Sequence, residues 1–149
     1  MENDSVRVFC LVVVDDDRRD LDLLKESLLS ASAPVELIAF TDGLSALNFL
    51  QSARRVDLII CDLLMPMISG INLLHAVLED PRLSDIPFAL TSGSRAKTQS
   101  AGLRERLEVP YFDKPFSWKG YQRLAQEIQA ALRAPQSAAK VLAQRMMIG

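Results

Sequence analysis

Four places in the chain carry side chains that could do chemistry together. Asp15-Asp16-Asp17 follows the apolar run Val12-Val13-Val14, and Asp62 follows Leu58-Ile59-Ile60-Cys61. Thr91-Ser92 follows Ala89-Leu90, and Lys114-Pro115 follows the short stretch Val109 to Asp113. Carboxylates gathered in one place repel, and burial raises the cost of keeping them charged. A divalent cation relieves that repulsion, and hard oxygen donors with room left for water suit Mg²⁺. A lysine beside them neutralises further charge or binds a phosphoryl oxygen.

The elements that must position these groups are short apolar runs alternating with helix-like segments. Val6 to Val14 reads as a strand buried on both faces. From Arg18 to Ser32, Leu21, Leu24 and Leu28 recur at helical spacing, with Leu23 and Leu29 broadening the stripe, and Pro34 ends the helix. Val35 to Phe40 is a second strand, after which Thr41 or Asp42 caps a helix carrying Leu44, Leu47 and Leu50. Val56 to Cys61 is a third strand. A loop from Asp62 to Ser69, with Pro66 inside it and Gly70 at its end, leads to a helix whose face is marked by Ile71, Leu74, His75 and Leu78. Asp80-Pro81 stops that helix. Ile86 to Thr91 is a fourth strand, Arg95 to Arg106 a weak polar helix, and Val109 to Asp113 a fifth strand. The last helix starts near Ser117 and aligns Trp118, Tyr121, Leu124, Ile128 and Leu132. Five βα units of this kind imply a parallel sheet covered by helices on both faces. Ligands bind such sheets at the carboxyl ends of the strands, which is where all four polar places fall.

With 149 residues, 49% of them hydrophobic, the chain suits one domain with a substantial core. A formal net charge of −2 argues against a broad basic face for nucleic acid, so no direct nucleic-acid binding is expected. No apolar run approaches the ~20 residues that span a bilayer. Nothing at Met1-Glu2-Asn3-Asp4 resembles a secretory signal, and a cytoplasmic location is expected. Cys10 and Cys61 lie in apolar runs without metal-ligand spacing and read as buried reduced thiols. Asp17 reads as the residue that opens the first helix rather than a metal ligand. His75, Trp118 and Tyr121 read as packing or interface groups, and the scattered arginines as solvated faces.

Three stretches together carry a resemblance. Val12-Val13-Val14-Asp15-Asp16-Asp17, Asp62-Leu63-Leu64-Met65-Pro66-Met67-Ile68-Ser69-Gly70 and Lys114-Pro115-Phe116 resemble the acidic pair, phosphoacceptor loop and Lys-Pro-Phe turn of response-regulator receiver domains. They occur in the same order, at the ends of strands one, three and five, and the likeness covers about residues 6 to 133. The resemblance implies a flavodoxin-like, doubly wound α/β fold with a five-stranded parallel sheet in the order 2-1-3-4-5. It implies Asp62 as phosphoacceptor and Mg²⁺ as cofactor. Asp16 and Asp62 would bind the ion directly, Asp15 through water, and Leu64 through its backbone carbonyl. Lys114 would pair with Asp62 and then with a phosphoryl oxygen. Ser92, by spacing from both Pro87 and Lys114, would be the switch hydroxyl, with Thr91 as the alternative register, and Tyr111 the aromatic that repacks with it.

The implied donor is a sensor histidine kinase or a histidine phosphotransfer protein, and the implied output is a change in affinity for a downstream protein. The chain would then be a switch with only self-directed phosphotransfer and slow autodephosphorylation, not a metabolic enzyme. It departs from the family text at Leu107-Glu108-Val109-Pro110, where small residues are usual, and at Gly93. Two rival readings remain. One is an interaction module that uses the fold without phosphorylation. The other is a phosphohydrolase with an aspartyl nucleophile, for which Asp15 and Asp17 supply the D-x-D spacing. Residues 1–5 read as an N-terminal tail, 6–133 as the receiver unit, and 134–149 as a flexible C-terminal tail.

Overall fold

The computed structural model describes residues 7–52, 54–93 and 109–133. Its elements are β1 (Phe9–Val14), α1 (Arg18–Ser30), β2 (Val35–Phe40), α2 (Gly43–Leu50), β3 (Leu58–Asp62), α3 (Gly70–Glu79), β4 (Phe88–Ser92) and β5 (Tyr111–Asp113). A last helix, here α4 (Trp118–Leu132), closes the described chain. The five strands form one sheet in the order β2-β1-β3-β4-β5, all pairs parallel. The expected fold class and strand order are therefore present. The Arg95 to Arg106 helix and the 134–149 tail lie outside the described residues. Among the described residues, no helix is long and apolar enough to cross a membrane.

The period of two along each strand divides the core. Val12, Val14, Ile59, Cys61, Phe88, Leu90 and Tyr111 pack on one face against Ala46 and Leu50 of α2 and Leu73, Leu74 and Val77 of α3. Leu11, Val13, Leu58, Ile60 and Ala89 pack on the other, against Leu21, Leu24 and Leu28 of α1 and Tyr121, Leu124 and Ile128 of α4. That alternation reaches the strand ends. Asp15, Asp62 and Thr91 come two residues after Val13, Ile60 and Ala89, so they continue the α1/α4 face. Ser92 follows Phe88 and Leu90 and continues the face that holds Tyr111.

Each described helix starts on a cap that accepts backbone N–H groups. Asp17 caps α1, Asp42 caps α2, Ser69 caps α3 in a reciprocal capping box with Asn72, and Ser117 caps α4. Several expected details are corrected. Strands β1, β3 and β4 begin later than their apolar runs, because Val8, Val56 and Ile86 lie before the first paired residue. Leu29 of α1 and Leu44 of α2 are exposed, each pointing away from a face already filled by its neighbours. The buried stripe of α3 is Leu73, Leu74 and Val77, so His75 and Leu78 face solvent. The helix begins at Gly70, and that phase carries the 73/77 row inward. Trp118 is partly exposed at the start of α4, where the buried stripe begins at Tyr121.

Candidate functional site

Asp15 sits one residue beyond β1, and its backbone N–H donates to Phe40 O at 3.0 Å, extending the ladder to β2. Its Oδ1 accepts from Asp17 N at 2.9 Å, which turns the chain into α1. Asp17 then spends its own carboxylate on Arg19 N at 2.9 Å. It caps the helix, and the D-x-D reading of Asp15 and Asp17 as a catalytic pair loses its second member. Asp16 lies between them and is exposed.

Asp62 ends β3 opposite Thr91 of β4. The loop behind it is closed tightly. Leu63 N donates to Thr91 O at 2.8 Å, and Gly70 N donates back to Leu63 O at 3.0 Å. A Cβ on Gly70 would lie 2.4 Å from Asp62 O and 2.9 Å from Leu90 Cδ2, so only glycine lets α3 start this close to the end of β3. Between them Ile68 N donates to Pro66 O at 2.8 Å across Met67, whose φ is 69°. That is a γ-turn of the rare positive-φ kind, and it leaves the Met67 side chain 99% exposed.

The carboxylates of Asp15, Asp16 and Asp62 converge, each offering a ligand oxygen within 4.8 Å of the others. Asp15 and Asp62 are each only 5% exposed. Burial pushes the Asp15 carboxyl above its ordinary value against the pull of Lys114. At Asp62 burial is again the largest cause. With the charges of Asp15 and Asp16 it raises the pKa to about 7, although Lys114 works to lower it. A crowded trio of hard oxygens, one of them on an exposed residue, fits a hard divalent cation that keeps part of its water.

Lys114 enters from the turn after β5. Its backbone N–H donates to Ser92 O at 2.8 Å, and Pro115 packs on Gly120, where a Cβ would come within 2.7 Å. The turn is thereby pinned to β4 on one side and to α4 on the other. The ammonium lies 2.7 Å from Asp15 Oδ2, 2.9 Å from Asp20 Oδ2 and 3.4 Å from Asp62 Oδ2. Burial works to lower its pKa, but hydrogen bonds to Asp15 and Asp20 and the charge of Asp62 overcome this and hold it above the ordinary value.

Asp20 was not among the residues singled out from the sequence. It lies in the first turn of α1 beside the buried Leu21, and its second oxygen accepts from Tyr121 Oη at 3.0 Å. Its partners lie 94 and 101 residues away in the chain, so the only local signal was an acidic residue in a helix turn that faces the strand ends.

The two hydroxyl candidates differ in place. Thr91 shares the α1/α4 face with Asp15, Asp20 and Lys114, with which it lines a small cavity of about 30 Å³. Ser92 is fully buried on the opposite face, and its Oγ has no hydrogen-bond partner among the described residues. Tyr111, at the start of β5, is buried on that same face. Leu64 follows in the β3–α3 loop with its side chain partly exposed. Cys10 and Cys61 are both buried free thiols, and burial raises the pKa of each.

Comparison with known proteins agrees with this geometry. Response regulator Rcp1 of Synechocystis sp. is 27% identical over 136 residues, covering 87% of this chain and 92% of the relative. Stress response regulator protein 1 of Meyerozyma guilliermondii is 27% identical over 110 residues, which is 72% of this chain and 49% of that protein. The chain thus spans about half the length of the second relative. The crystal structure of the Mn²⁺-bound form of Rcp1 superposes with a TM-score of 0.67 at 28% identity, covering 82% of this chain and 92% of that one. Residues 11–129 match the family described as the response regulator receiver domain, and the chain belongs to that family.

Proposed function

We propose that this chain is a phosphorylation-controlled signalling switch in which Asp62 accepts a phosphoryl group from a phosphohistidine. The observation that carries the reading is the buried Asp62 carboxylate, within ligand reach of Asp15 and Asp16 and 3.4 Å from the Lys114 ammonium. Asp16 and Asp62 would hold Mg²⁺ directly, with the Leu64 carbonyl as a further ligand and Asp15 acting through water. The bound ion would neutralise charge on the phosphoryl oxygens. Rcp1 is described as binding Mn²⁺, which supports a divalent site here.

The chain's own part is positioning and charge. An oxygen of the Asp62 carboxylate forms a bond to phosphorus as the donor's phosphorus–nitrogen bond breaks, and the leaving imidazole takes up a proton from solvent. Lys114 then pairs with a phosphoryl oxygen. Ser92 is the switch hydroxyl of this reading: it ends β4 one residue beyond Thr91, the partner of Asp62, and its buried Oγ has no hydrogen-bond partner among the described residues, so a phosphoryl oxygen projecting past the strand ends would supply one. Tyr111 repacks with it, a shift between two existing arrangements of the β4–β5 end. Thr91 is the alternative hydroxyl.

The donor is a sensor histidine kinase or a histidine phosphotransfer protein, and the target is a downstream protein, with no direct role for nucleic acid or membrane. The reading places the chain in the cytoplasm, with residues 6–133 as the receiver unit between tails at 1–5 and 134–149. Self-dephosphorylation is slow, since Leu64 offers no hydrogen bond to orient an attacking water.

The test is intact mass after incubation with Mg²⁺ and phosphoramidate. Wild type gains one phosphoryl group and Asp62→Asn gains none; a full gain by Asp62→Asn overturns the assignment. In phosphorylated protein, Ser92→Ala removes the amide-shift changes around Tyr111 and Thr91→Val leaves them. The reverse outcome moves the hydroxyl role to Thr91.

A further inference from the structure

Lys114 has more partners than a phosphoryl switch requires. An ammonium carries three N–H donors, and here three carboxylates surround it. Asp15 and Asp62 belong to the carboxylate trio at the strand ends. Asp20 does not; it comes from α1, and it holds Lys114 at 2.9 Å, closer than Asp62 does at 3.4 Å. Nor is Asp20 free to swing. Tyr121 Oη donates to its Oδ1 at 3.0 Å, leaving Oδ2 aimed at the ammonium. The tyrosine ring is buried in the core between α1 and α4, so its hydroxyl is fixed by packing. Tyr121, Asp20 and Lys114 therefore form a chain of hydrogen bonds that ties the lysine to the helix layer.

We infer that Asp20, steered by Tyr121, is a positioning residue that competes with the phosphoryl group for Lys114. Closing the gap between Lys114 and a phosphoryl group on Asp62 loosens a bond already made to Asp20. A small cavity of about 30 Å³ lies beside Asp20, Thr91, Lys114 and Tyr121, so the ammonium is not packed tightly on every side. The anchor thus favours the unphosphorylated arrangement and lowers occupancy of the phosphorylated one. This rests on the reading of Asp62 as the phosphoacceptor.

Two variants test it. Asp20→Asn removes the competing charge and keeps the shape. Tyr121→Phe keeps every charge and the ring, and releases only the aim of Asp20. With Mg²⁺ saturating, affinity for beryllofluoride is measured for each by titration. Release of a part-buried ion pair predicts about five-fold tighter binding in Asp20→Asn. A gain of about two-fold is expected in Tyr121→Phe, where half or less of the pairing is lost. The second readout is the side-chain ¹³Cε and ¹⁵Nζ signals of Lys114 in cation-free protein, which move in both variants.

A gain in Asp20→Asn with none in Tyr121→Phe means that bulk charge, not the anchor, is responsible, and it overturns the inference. Unchanged or weaker binding in Asp20→Asn does the same, since Asp20 then steadies the lysine for its task. Failure of wild type to bind beryllofluoride, with Lys114 signals still moving, sinks the switch function and the competition together while leaving the structural anchor. Wild-type binding with no gain in either variant sinks the competition alone.

Discussion

The residues Asp57 and Asp62 stand at opposite ends of one strand, and their surroundings have opposite character. Asp57, just before β3, accepts from Arg7 at 2.6 Å and from Cys10 N at 2.8 Å, and Arg55 lies 3.3 Å away. One carboxylate there meets two guanidinium groups and a backbone donor. At the other end, Asp62 shares its space with Asp15, Asp16 and Asp20, and among the described residues a single ammonium serves the group. The amino end of the sheet is electrostatically closed. Among the described residues the carboxyl end is short of positive charge, and in the proposed function a cation and a phosphoryl-bound lysine use that shortage. The same residue type thus meets a neutralising shell at one end and, in the proposed function, serves chemistry at the other, according to what its neighbours supply.

The largest test of the contrast is Lys114→Met. Removing the ammonium leaves its three partners, Asp15, Asp20 and Asp62, facing each other, and breaking a buried ion pair of this kind costs about 3 kcal/mol. The loss is expected at pH 8 in EDTA by urea denaturation. It shrinks as the pH falls, because the carboxyls then escape the repulsion by taking up protons. Arg7→Met at the other end is expected to cost no more than ~1 kcal/mol, since its guanidinium is half exposed and Arg55 and the Cys10 N–H remain. Equal costs for the two variants would remove the distinction between the ends.

Next in size is Asp62→Asn, which is expected to stabilise the protein. The Asp62 carboxyl titrates at about 7 in the folded state against an ordinary value of 3.8. A raised carboxyl means that the folded state holds the proton more tightly than the unfolded chain. Stability is therefore lost as pH rises through that window, and the whole penalty is present above pH 7. A shift of that size corresponds to ~4 kcal/mol. That shift is already net of the attraction to Lys114, and solvent access to the site reduces its effect, so a gain of about 2 kcal/mol is expected at pH 8 in EDTA. The gain fades toward pH 4, and saturating Mg²⁺ narrows it by stabilising wild type. A variant less stable than wild type at pH 8 would mean that Asp62 is as well neutralised as Asp57.

How much of this was legible in the sequence follows from the range of the interactions. The strand β2 was readable to its observed bounds, Val35 to Phe40, because Pro34 precedes it and the Thr41-Asp42 cap follows it. The trio Asp15, Asp16 and Asp62 was readable because each residue ends or follows an apolar run and parallel pairing brings those ends together. The face of α3 was misjudged because Ile71, Leu73, Leu74, Val77 and Leu78 offer two overlapping apolar stripes, and only the docking of Gly70 on Asp62 O selects between them. Asp20 was invisible for a related reason. Nothing near it in the chain marks it, and its meaning depends on a lysine and a tyrosine delivered by β5 and α4. The choice between Ser92 and Thr91 turns on which face each residue takes at the end of β4, where spacing favours one and register with Asp62 the other.

The smallest effect belongs to the Asp57 end and separates the two things its carboxylate does. Asp57→Ala removes both the ion pairs and the acceptor for Cys10 N–H, and a part-buried donor left without its partner costs about 1–2 kcal/mol. Asp57→Asn keeps an amide oxygen where that acceptor was and removes only the charge. The pairs it breaks involve guanidinium groups whose side chains are 42% and 74% exposed, at Arg7 and Arg55. Water and salt already screen such pairs, so about 0.5 kcal/mol is expected from Asp57→Asn by urea denaturation in low salt. Raising NaCl to ~1 M shortens the screening length to about 3 Å and is expected to erase most of that difference. The Asp57→Ala cost persists in high salt, because it comes from an unmade hydrogen bond rather than a screened attraction. If Asp57→Asn instead costs as much as Asp57→Ala, and salt leaves both unchanged, the amino end depends on its charge as strongly as the carboxyl end does.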